Sequence, residues 1–407
     1  MMDEANNLVH LLFCLRHQTF KNFSLYICVN QPEEWHSSSD DYHQAVVDAN
    51  AETMRRLSEI NDLDIAVIDR SSPGSGWSGK KKGVGWARKV LFEAIVPKHN
   101  PQEIIVSLDA DTHFEPDYFE KIVSVFEKDP DAAALSAIYY HPVQTQGFPQ
   151  LEAFNRKSKT EFSTFNSRSL LRYECYMRHY LINLLAIGSP YAFSALGSAM
   201  AFTAEAYRRS GGITPLQGGE DFYLMQRFAK TGKVIVGRTN FQQIPLSEHG
   251  PVFNFPIVFP QSRESRRVPF GTGPAVSMPL EEQVRKYPFY SKEAFLQVKE
   301  TYDLFPTLFE HDVEAPMSGF LRQQLATDNP WQPLRRNFKS RELFVRACKE
   351  RIDGLRILQF LRTFPQHETP PVDFANDSIE TLNTYRNTLF NQEMKLRSQH
   401  PTAGLTQ

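Results

Sequence analysis

The feature that most constrains the fold is the regular alternation of short apolar runs with amphipathic stretches between Phe23 and about Gly237. Runs rich in Ile, Val, Leu and Tyr predict strands at residues 23–30, 63–69, 103–109 and 133–140. Helical patterns lie between them at residues 42–60, 85–95 and 116–128. This alternation predicts an α/β fold with a mostly parallel sheet flanked by helices. Ligands bind such sheets beyond the carboxyl ends of the strands, so polar residues there carry the most weight.

Length and composition narrow the class of protein. The 407 residues suffice for one large domain with an appendage or for two domains. Forty-five basic and 47 acidic side chains leave a net charge of -2, so we expect no nucleic-acid partner. The four cysteines form no CxxC pair, and residues 1–7 are polar and acidic. We therefore expect a cytoplasmic protein without a signal peptide.

One uncharged stretch, residues 180–204, is long enough to span a bilayer. Asn183, Pro190 and basic residues at both ends oppose a span. We predict instead a helix end, a turn and a buried strand.

The sequence pattern changes after Pro251. Segments rich in proline and glycine, which predict loops, are followed from about Leu280 by patterns that are mainly helical. We therefore predict two regions, a domain at residues 1–273 and a mainly helical C-terminal extension at residues 274–407. Residues 334–362 predict one helix with nine basic and three acidic residues. Its basic face has two interpretations, a solvated surface or a peripheral contact with anionic lipid headgroups at the inner face of the membrane.

Two carboxylates, Asp109 and Asp111, follow the third predicted strand in an Asp-x-Asp pattern. Paired carboxylates at a strand end are suited to a hard divalent cation such as Mg²⁺ or Mn²⁺. A calcium loop is excluded because Phe114 replaces the glycine that its sharp turn requires. The remaining alternative is that both aspartates cap the helix that follows Pro116.

A second acidic pair, Glu220 and Asp221, follows a glycine-rich loop at the start of a predicted helix. Acidic residues are favoured at helix N-termini, which is a purely structural explanation. The glycines of the loop would also let a sugar-sized acceptor approach the carboxylates closely.

The order of strand, Asp-x-Asp, strand, short helix and Gly-Gly-Glu-Asp resembles the family 2 glycosyltransferases of the GT-A fold, over about residues 1–273. The resemblance implies that Asp109 and Asp111 hold a metal ion on the diphosphate of a nucleotide-sugar. It implies that Asp221, beside Glu220, is the general base of an inverting transfer. A UDP- or GDP-sugar donor, a glycan or lipid-linked acceptor and a role in cell envelope polysaccharide are the corresponding expectations for a hexosyltransferase-type enzyme.

Further residues are assigned to the donor on the same resemblance. The segment at residues 83–89 is similar to the family's helix start beside the donor, which places Arg88 there, with Asp69 and Lys82 as additional donor-binding candidates. His249 is a candidate third metal ligand, although a single histidine is more often structural or exposed. Arg263 and Arg267 offer guanidinium groups suited to phosphate, with a plain surface charge cluster as the alternative.

The loop at residues 69–89 contains both a GxGxxG pattern and most of a phosphate-binding P-loop. The P-loop fails because Lys81 occupies the position of the Ser or Thr that holds Mg²⁺. The dinucleotide pattern fails because no acidic residue ends a following strand at the required distance. We expect a flexible basic loop, residues 71–82, that folds over the donor diphosphate.

The sequence departs from the family at its beginning. Asp3 and Glu4 resemble the end of the family's first strand, but the strand itself is missing. Loss of an interior strand would leave unpaired backbone groups on both neighbours, so we predict that the natural start lies upstream. A stop codon immediately upstream in the reading frame would refute this prediction.

Two other functions stay open from the residues alone. A nucleotidyltransferase would use a related sheet, and a transferase-like module without catalytic activity would bind carbohydrate or a protein partner. The leading prediction is a metal-dependent, inverting glycosyltransferase with one water-excluding pocket.

Overall fold

The structure is a computed structural model that describes residues 1–79, 81–143, 164–238, 254–261 and 271–405. The α-helices in these ranges are α1 (Ala5–Arg16), α2 (Asp41–Ser58), α3 (Val84–Ile95), α4 (Tyr118–Lys128), α5 (Thr164–Ala186), α6 (Ala204–Arg209), α7 (Glu220–Thr231), α8 (Thr272–Ser277), α9 (Leu280–Lys286), α10 (Lys292–Asp303), α11 (Phe305–Glu310), α12 (Ser318–Leu325), α13 (Gln332–Asn337), α14 (Arg341–Arg351), α15 (Gly354–Leu361) and α16 (Ile379–Gln399). The strands are β1 (Leu25–Asn30), β2 (Ile65–Arg70), β3 (Ile104–Ser107), β4 (Thr112–Phe114), β5 (Ala132–Ser136), β6 (Ile138–Tyr139), β7 (Met200–Thr203), β8 (Lys233–Ile235), β9 (Ile257–Pro260) and β10 (Thr402–Ala403).

The strands form three sheets flanked by helices, which confirms the α/β class. The five-stranded sheet has the order β10-β8-β5-β7-β3, β1 pairs with β2, and the third sheet has the order β4-β9-β6. The expectation of a mostly parallel arrangement is wrong for the described residues, because three of their seven strand pairings are parallel and four are antiparallel. Two of the four antiparallel pairings come from β7, which runs antiparallel to both of its neighbours, β3 and β5, and the other two join β10 to β8 and β4 to β9.

The strand and helix predictions of the N-terminal part are confirmed to within a few residues. β1 and β3 lie inside the first and third apolar runs, β2 passes the end of the second run by one residue, and β5 and β6 together cover most of the fourth run. The uncharged stretch at 180–204 contains the end of α5, a turn at Gly188 and the buried strand β7, as predicted. Within the part of the chain that the structure describes, no helix has the length and hydropathy needed to cross a membrane.

A cavity of about 1360 Å³ lies where the missing strand was expected, between β1 and β3. Its lining includes Leu25–Cys28 of β1 and Ile104–Ser107 of β3. Met1 occupies the end of this gap, where its ammonium group donates to the Cys28 carbonyl and its carbonyl accepts from Asn30 N at 2.9 Å. Among the described residues, no strand fills the rest of the gap.

The C-terminal segment is integrated with the first 273 residues. Helix α16 packs along α5, and β10 adds the outermost strand to the five-stranded sheet through β8. Between these helices, buried Arg178 bonds Glu174 and Glu393 at 2.5 Å each, and Arg397 donates to the Val236 carbonyl at 2.5 Å. The boundary at residue 273 remains a prediction.

The single helix predicted for residues 334–362 is wrong, because the segment contains α14 and α15 and the end of α13. Ser340 and Asp353 accept hydrogen bonds from the backbone amides of the new helix starts and so begin α14 and α15. Phe344, Cys348 and Ile352 of this segment are fully buried in the core. The contact of this segment with a membrane remains a prediction.

Candidate functional site

The side chain of Arg88 connects the two acidic motifs. It extends from α3, and its Nη2 donates to Asp109 Oδ1 at 2.6 Å while its Nη1 donates to Glu220 Oε1. Asp109 lies just beyond the end of β3, and Glu220 is the first residue of α7. Arg88 is 7% exposed and Glu220 is 2% exposed, so this ion pair is shielded from solvent. Two motifs more than 100 residues apart in the sequence thus meet at one guanidinium group.

Two glycines, Gly85 in the first turn of α3 and Gly197 before β7, make room for this arrangement. A Cβ atom at Gly197 would lie 2.0 Å from Arg88 Nη2, and a Cβ atom at Gly85 would lie 2.1 Å from the Leu216 carbonyl oxygen. Real Cβ atoms do not approach other atoms so closely. Both positions therefore exclude every residue larger than glycine unless Arg88 or the loop before α7 moves.

The start of α7 places Asp221 beside the same cavity. Gly219 adopts a left-handed conformation with φ of 78°, which glycine tolerates without strain, and the helix begins at the next residue. Asp221 is half-buried and lines the cavity together with Glu220 and Phe222. Burial, followed by the negative charge of Glu220, raises the pKa of Asp221 to about 7, although the positive charge of Arg88 opposes this shift. The carboxyl group therefore exchanges protons near neutral pH.

Asp109 and Asp111 fit a hard divalent cation by their chemistry and position. Both are half-buried and line the cavity. The backbone between them is held by a bond from Thr112 N to the Asp109 carbonyl at 3.2 Å and by one from Gln261 N to the Asp111 carbonyl at 2.9 Å. Carboxylate oxygens are the donors that Mg²⁺ and Mn²⁺ prefer, so the pair fits the expected ion.

The donor residues proposed from the sequence divide into three groups. Arg88 and Asp109 lie at the cavity, whereas Asp69 and Lys82 do not line it within the described residues. His249, Arg263 and Arg267 lie outside the described residues. The roles of all these residues in binding the donor or a metal ion remain predictions.

Asp69 shapes the turn that follows β2. Its Oδ1 accepts hydrogen bonds from Ser71 N at 2.8 Å and from Ser72 N at 3.0 Å. Burial acts to raise the pKa of Asp69, but hydrogen bonds from Ser72 and Ser71 outweigh it and lower the pKa. Lys82 Nζ lies 3.9 Å from Glu34 Oε1, at the far end of the same loop.

The first half of the glycine-rich loop is hydrogen-bonded to the side chain of Glu33. Glu33 accepts hydrogen bonds from Gly74 N at 2.8 Å and from Gly76 N at 2.7 Å. The Trp77 indole is buried and donates to Asn30 Oδ1 at 3.2 Å. These two amides therefore already have an acceptor, and the approach of this loop to a donor diphosphate remains a prediction.

Three further residues that line the cavity were not found from the sequence. Tyr173 and Met177 come from α5, and Leu358 comes from α15. Burial raises the pKa of the Tyr173 hydroxyl well above its usual range, with smaller contributions from Tyr287 and Asp221. The spacing of Tyr173 and Met177 places them on one helix face, which is the only signal that the sequence contains.

Residues 104–242 match the family model described as glycosyl transferase family group 2. The chain contains a family 2 glycosyltransferase domain. The matched range includes both acidic motifs of the site, whereas Arg88 lies before it. No curated protein matches the chain. The family establishes sugar transfer in general, and the donor, the acceptor and the residue roles require separate arguments.

Proposed function

We propose that the protein transfers a sugar from a nucleotide-diphosphate donor to an acceptor hydroxyl, with inversion at the anomeric carbon. The proposal is supported above all by Arg88, whose side chain bonds both Asp109 and Glu220. Asp109, Asp111 and Asp221 line the same cavity. A UDP- or GDP-sugar is the proposed donor, and a glycan or lipid-linked hydroxyl is the proposed acceptor.

The donor half of the site is assigned to Asp109 and Asp111. We propose that they hold Mg²⁺ or Mn²⁺, which when bound supplies positive charge to the leaving diphosphate. Arg88 is fixed between Asp109 and Glu220 and adds a permanent positive charge behind these carboxylates. The remaining basic residues of the loop after Trp77, including Lys82, are proposed to approach the diphosphate from the other side.

The acceptor half is assigned to Asp221. A general base functions best when its pKa is near the working pH, and burial together with Glu220 brings Asp221 to that range. A cation at Asp109 and Asp111 would lower this pKa again and favour the ionised, proton-accepting form. We propose that Asp221 takes the proton from the acceptor hydroxyl, and that Glu220, buried and paired, is a positioning residue that orients Arg88.

A panel of nucleoside diphosphates and nucleotide-sugars, with and without Mn²⁺, tests the donor half by thermal unfolding. A ligand that binds only the folded protein stabilises it by about 2.7 kcal/mol at one hundred times its Kd. We expect stabilisation by one nucleotide class in Mn²⁺, and its loss in Asp109→Asn/Asp111→Asn. Asp48→Asn, which alters an exposed aspartate on α2, should behave like the wild type.

Unchanged Mn²⁺-dependent binding in the double variant would overturn the assignment of Asp109 and Asp111. Stabilisation by nucleoside triphosphates and pyrophosphate release from them would favour a nucleotidyltransferase. Binding of a nucleotide-sugar without turnover would favour a binding module that lacks catalytic activity.

A further inference from the structure

Three side chains that play no part in the proposed transfer converge between α1 and β4. His10 and Cys14 lie one turn apart on α1, and His113 is the central residue of β4. His10 Nε2 lies 3.1 Å from His113 Nδ1, and Cys14 Sγ lies 3.3 Å from His10 Nε2 and 3.5 Å from His113 Nδ1. Cys14 and His113 are buried, and His10 is half-buried.

These separations match the edges of a tetrahedral zinc site. Zinc binds histidine nitrogen at about 2.0–2.1 Å and cysteine sulfur at about 2.3 Å. In a tetrahedron with those bond lengths, two nitrogens are about 3.3 Å apart and a nitrogen and a sulfur are about 3.5 Å apart. The three distances in the cluster, 3.1, 3.3 and 3.5 Å, agree with these values to within about 0.2 Å.

Hydrogen bonds alone explain the triangle less well. A neutral imidazole nitrogen either donates or accepts, and it cannot do both, while a thiol is a weak donor. Three atoms in mutual contact therefore cannot form three well-directed hydrogen bonds at once. One cation, in contrast, accepts a lone pair from each of the three atoms.

We propose that His10, Cys14 and His113 bind a Zn²⁺ ion, which is a site separate from the carboxylates of the transfer reaction. Nitrogen and sulfur ligands suit zinc, whereas Asp109 and Asp111 offer only oxygen and suit Mg²⁺ or Mn²⁺. Binding replaces the thiol proton of Cys14, which passes to solvent, and both histidines bind through neutral rings.

The ion would join two elements that meet at the edge of the donor site. Helix α1 packs against β4, and β4 begins directly after Asp111. Bonds from α1 and from β4 to one ion would fix the position of β4, the strand that follows Asp109 and Asp111. The proposal stands on the cluster itself and does not depend on the transfer reaction.

Cobalt replaces zinc as a spectroscopic probe of this site. After treatment with a chelator, the protein is titrated with Co²⁺ in the Asp109→Asn/Asp111→Asn background, which removes the proposed oxygen site. We expect one equivalent to bind, with a sulfur-to-cobalt charge-transfer band in the near ultraviolet and visible bands of tetrahedral cobalt. Equimolar Zn²⁺ should displace the cobalt and abolish both signals.

Cys14→Ser and His10→Gln should each remove the charge-transfer band or reduce affinity for Co²⁺ at least tenfold. His17→Gln is the matched control, because His17 lies exposed at the end of the same helix and outside the cluster. Circular dichroism in the presence of chelator confirms that each variant folds. Absence of the band in the parent, or its persistence in Cys14→Ser, would overturn the proposal.

Discussion

Replacing Arg88 by methionine should destabilise the fold far more than the loss of a surface ion pair. Methionine keeps an unbranched apolar side chain but removes the guanidinium group from between Asp109 and Glu220. Glu220 is 2% exposed and loses its ion-pair partner, and breaking a buried pair costs about 3–5 kcal/mol. The Asp109 side chain is 42% exposed, so its lost contact adds less than about 1 kcal/mol.

Urea unfolding followed by circular dichroism measures this free energy of unfolding, and the double variant Arg88→Met/Glu220→Gln supplies the decisive comparison. Removing both charges should recover at least about 2 kcal/mol of the loss, because no uncompensated carboxylate is left in the interior. A loss below about 1 kcal/mol in Arg88→Met, or no recovery in the double variant, would refute the argument that this ion pair holds the two motifs together.

Three further predictions concern a glycine, a titration and the C-terminal helix. Gly85→Ala should lower the free energy of unfolding because its new Cβ atom would overlap the Leu216 carbonyl. Gly319→Ala, in α12, should raise it by about 0.5–1 kcal/mol, because the new Cβ atom would make only an ordinary contact with Arg322 Nη2 at 3.8 Å; equal signs in urea unfolding would contradict this. Because the pKa of Asp221 is raised to about 7, the folded protein holds a proton that the unfolded chain releases. The free energy of unfolding should therefore decrease as the pH rises from about 4 to about 7. Asp221→Asn should lose on the order of 4 kcal/mol of this dependence, and an unchanged pH profile would show that the pKa is not raised. Glu393→Gln should cost about 3–5 kcal/mol at neutral pH by leaving buried Arg178 and Arg397 short of a carboxylate, and a cost near zero would show that α16 does not depend on these ion pairs.

Much of the N-terminal architecture could be predicted because its signals are local. Apolar runs located β1, β2 and β3, and the two acidic motifs were found because each follows a strand or begins a helix. The family match over residues 104–242 confirms the class that these motifs indicated. The antiparallel insertion of β7 was missed because strand direction depends on long-range pairing, which periodicity does not encode.

Other features depend on contacts between distant segments and were therefore beyond the sequence. The hydrogen bonds from Gly74 and Gly76 to Glu33 join positions more than 40 residues apart, and the sequence of a glycine-rich loop alone does not reveal such a partner. The zinc ligands likewise come from a helix and a strand about 100 residues apart. The helix predicted over residues 334–362 failed for a local reason, because the capping side chains of Ser340 and Asp353 were overlooked.

Asp221 is proposed to activate an acceptor hydroxyl for sugar transfer from a nucleotide-sugar. Release of nucleoside diphosphate from the donor identified by thermal unfolding, measured with Mn²⁺ over pH 6–8.5, tests it most directly. We predict turnover by the wild type and by Asp48→Asn, and a loss of about a hundred- to ten-thousandfold in Asp221→Asn with donor binding retained. Turnover by Asp221→Asn within tenfold of the wild type would contradict the assignment of Asp221 as the general base.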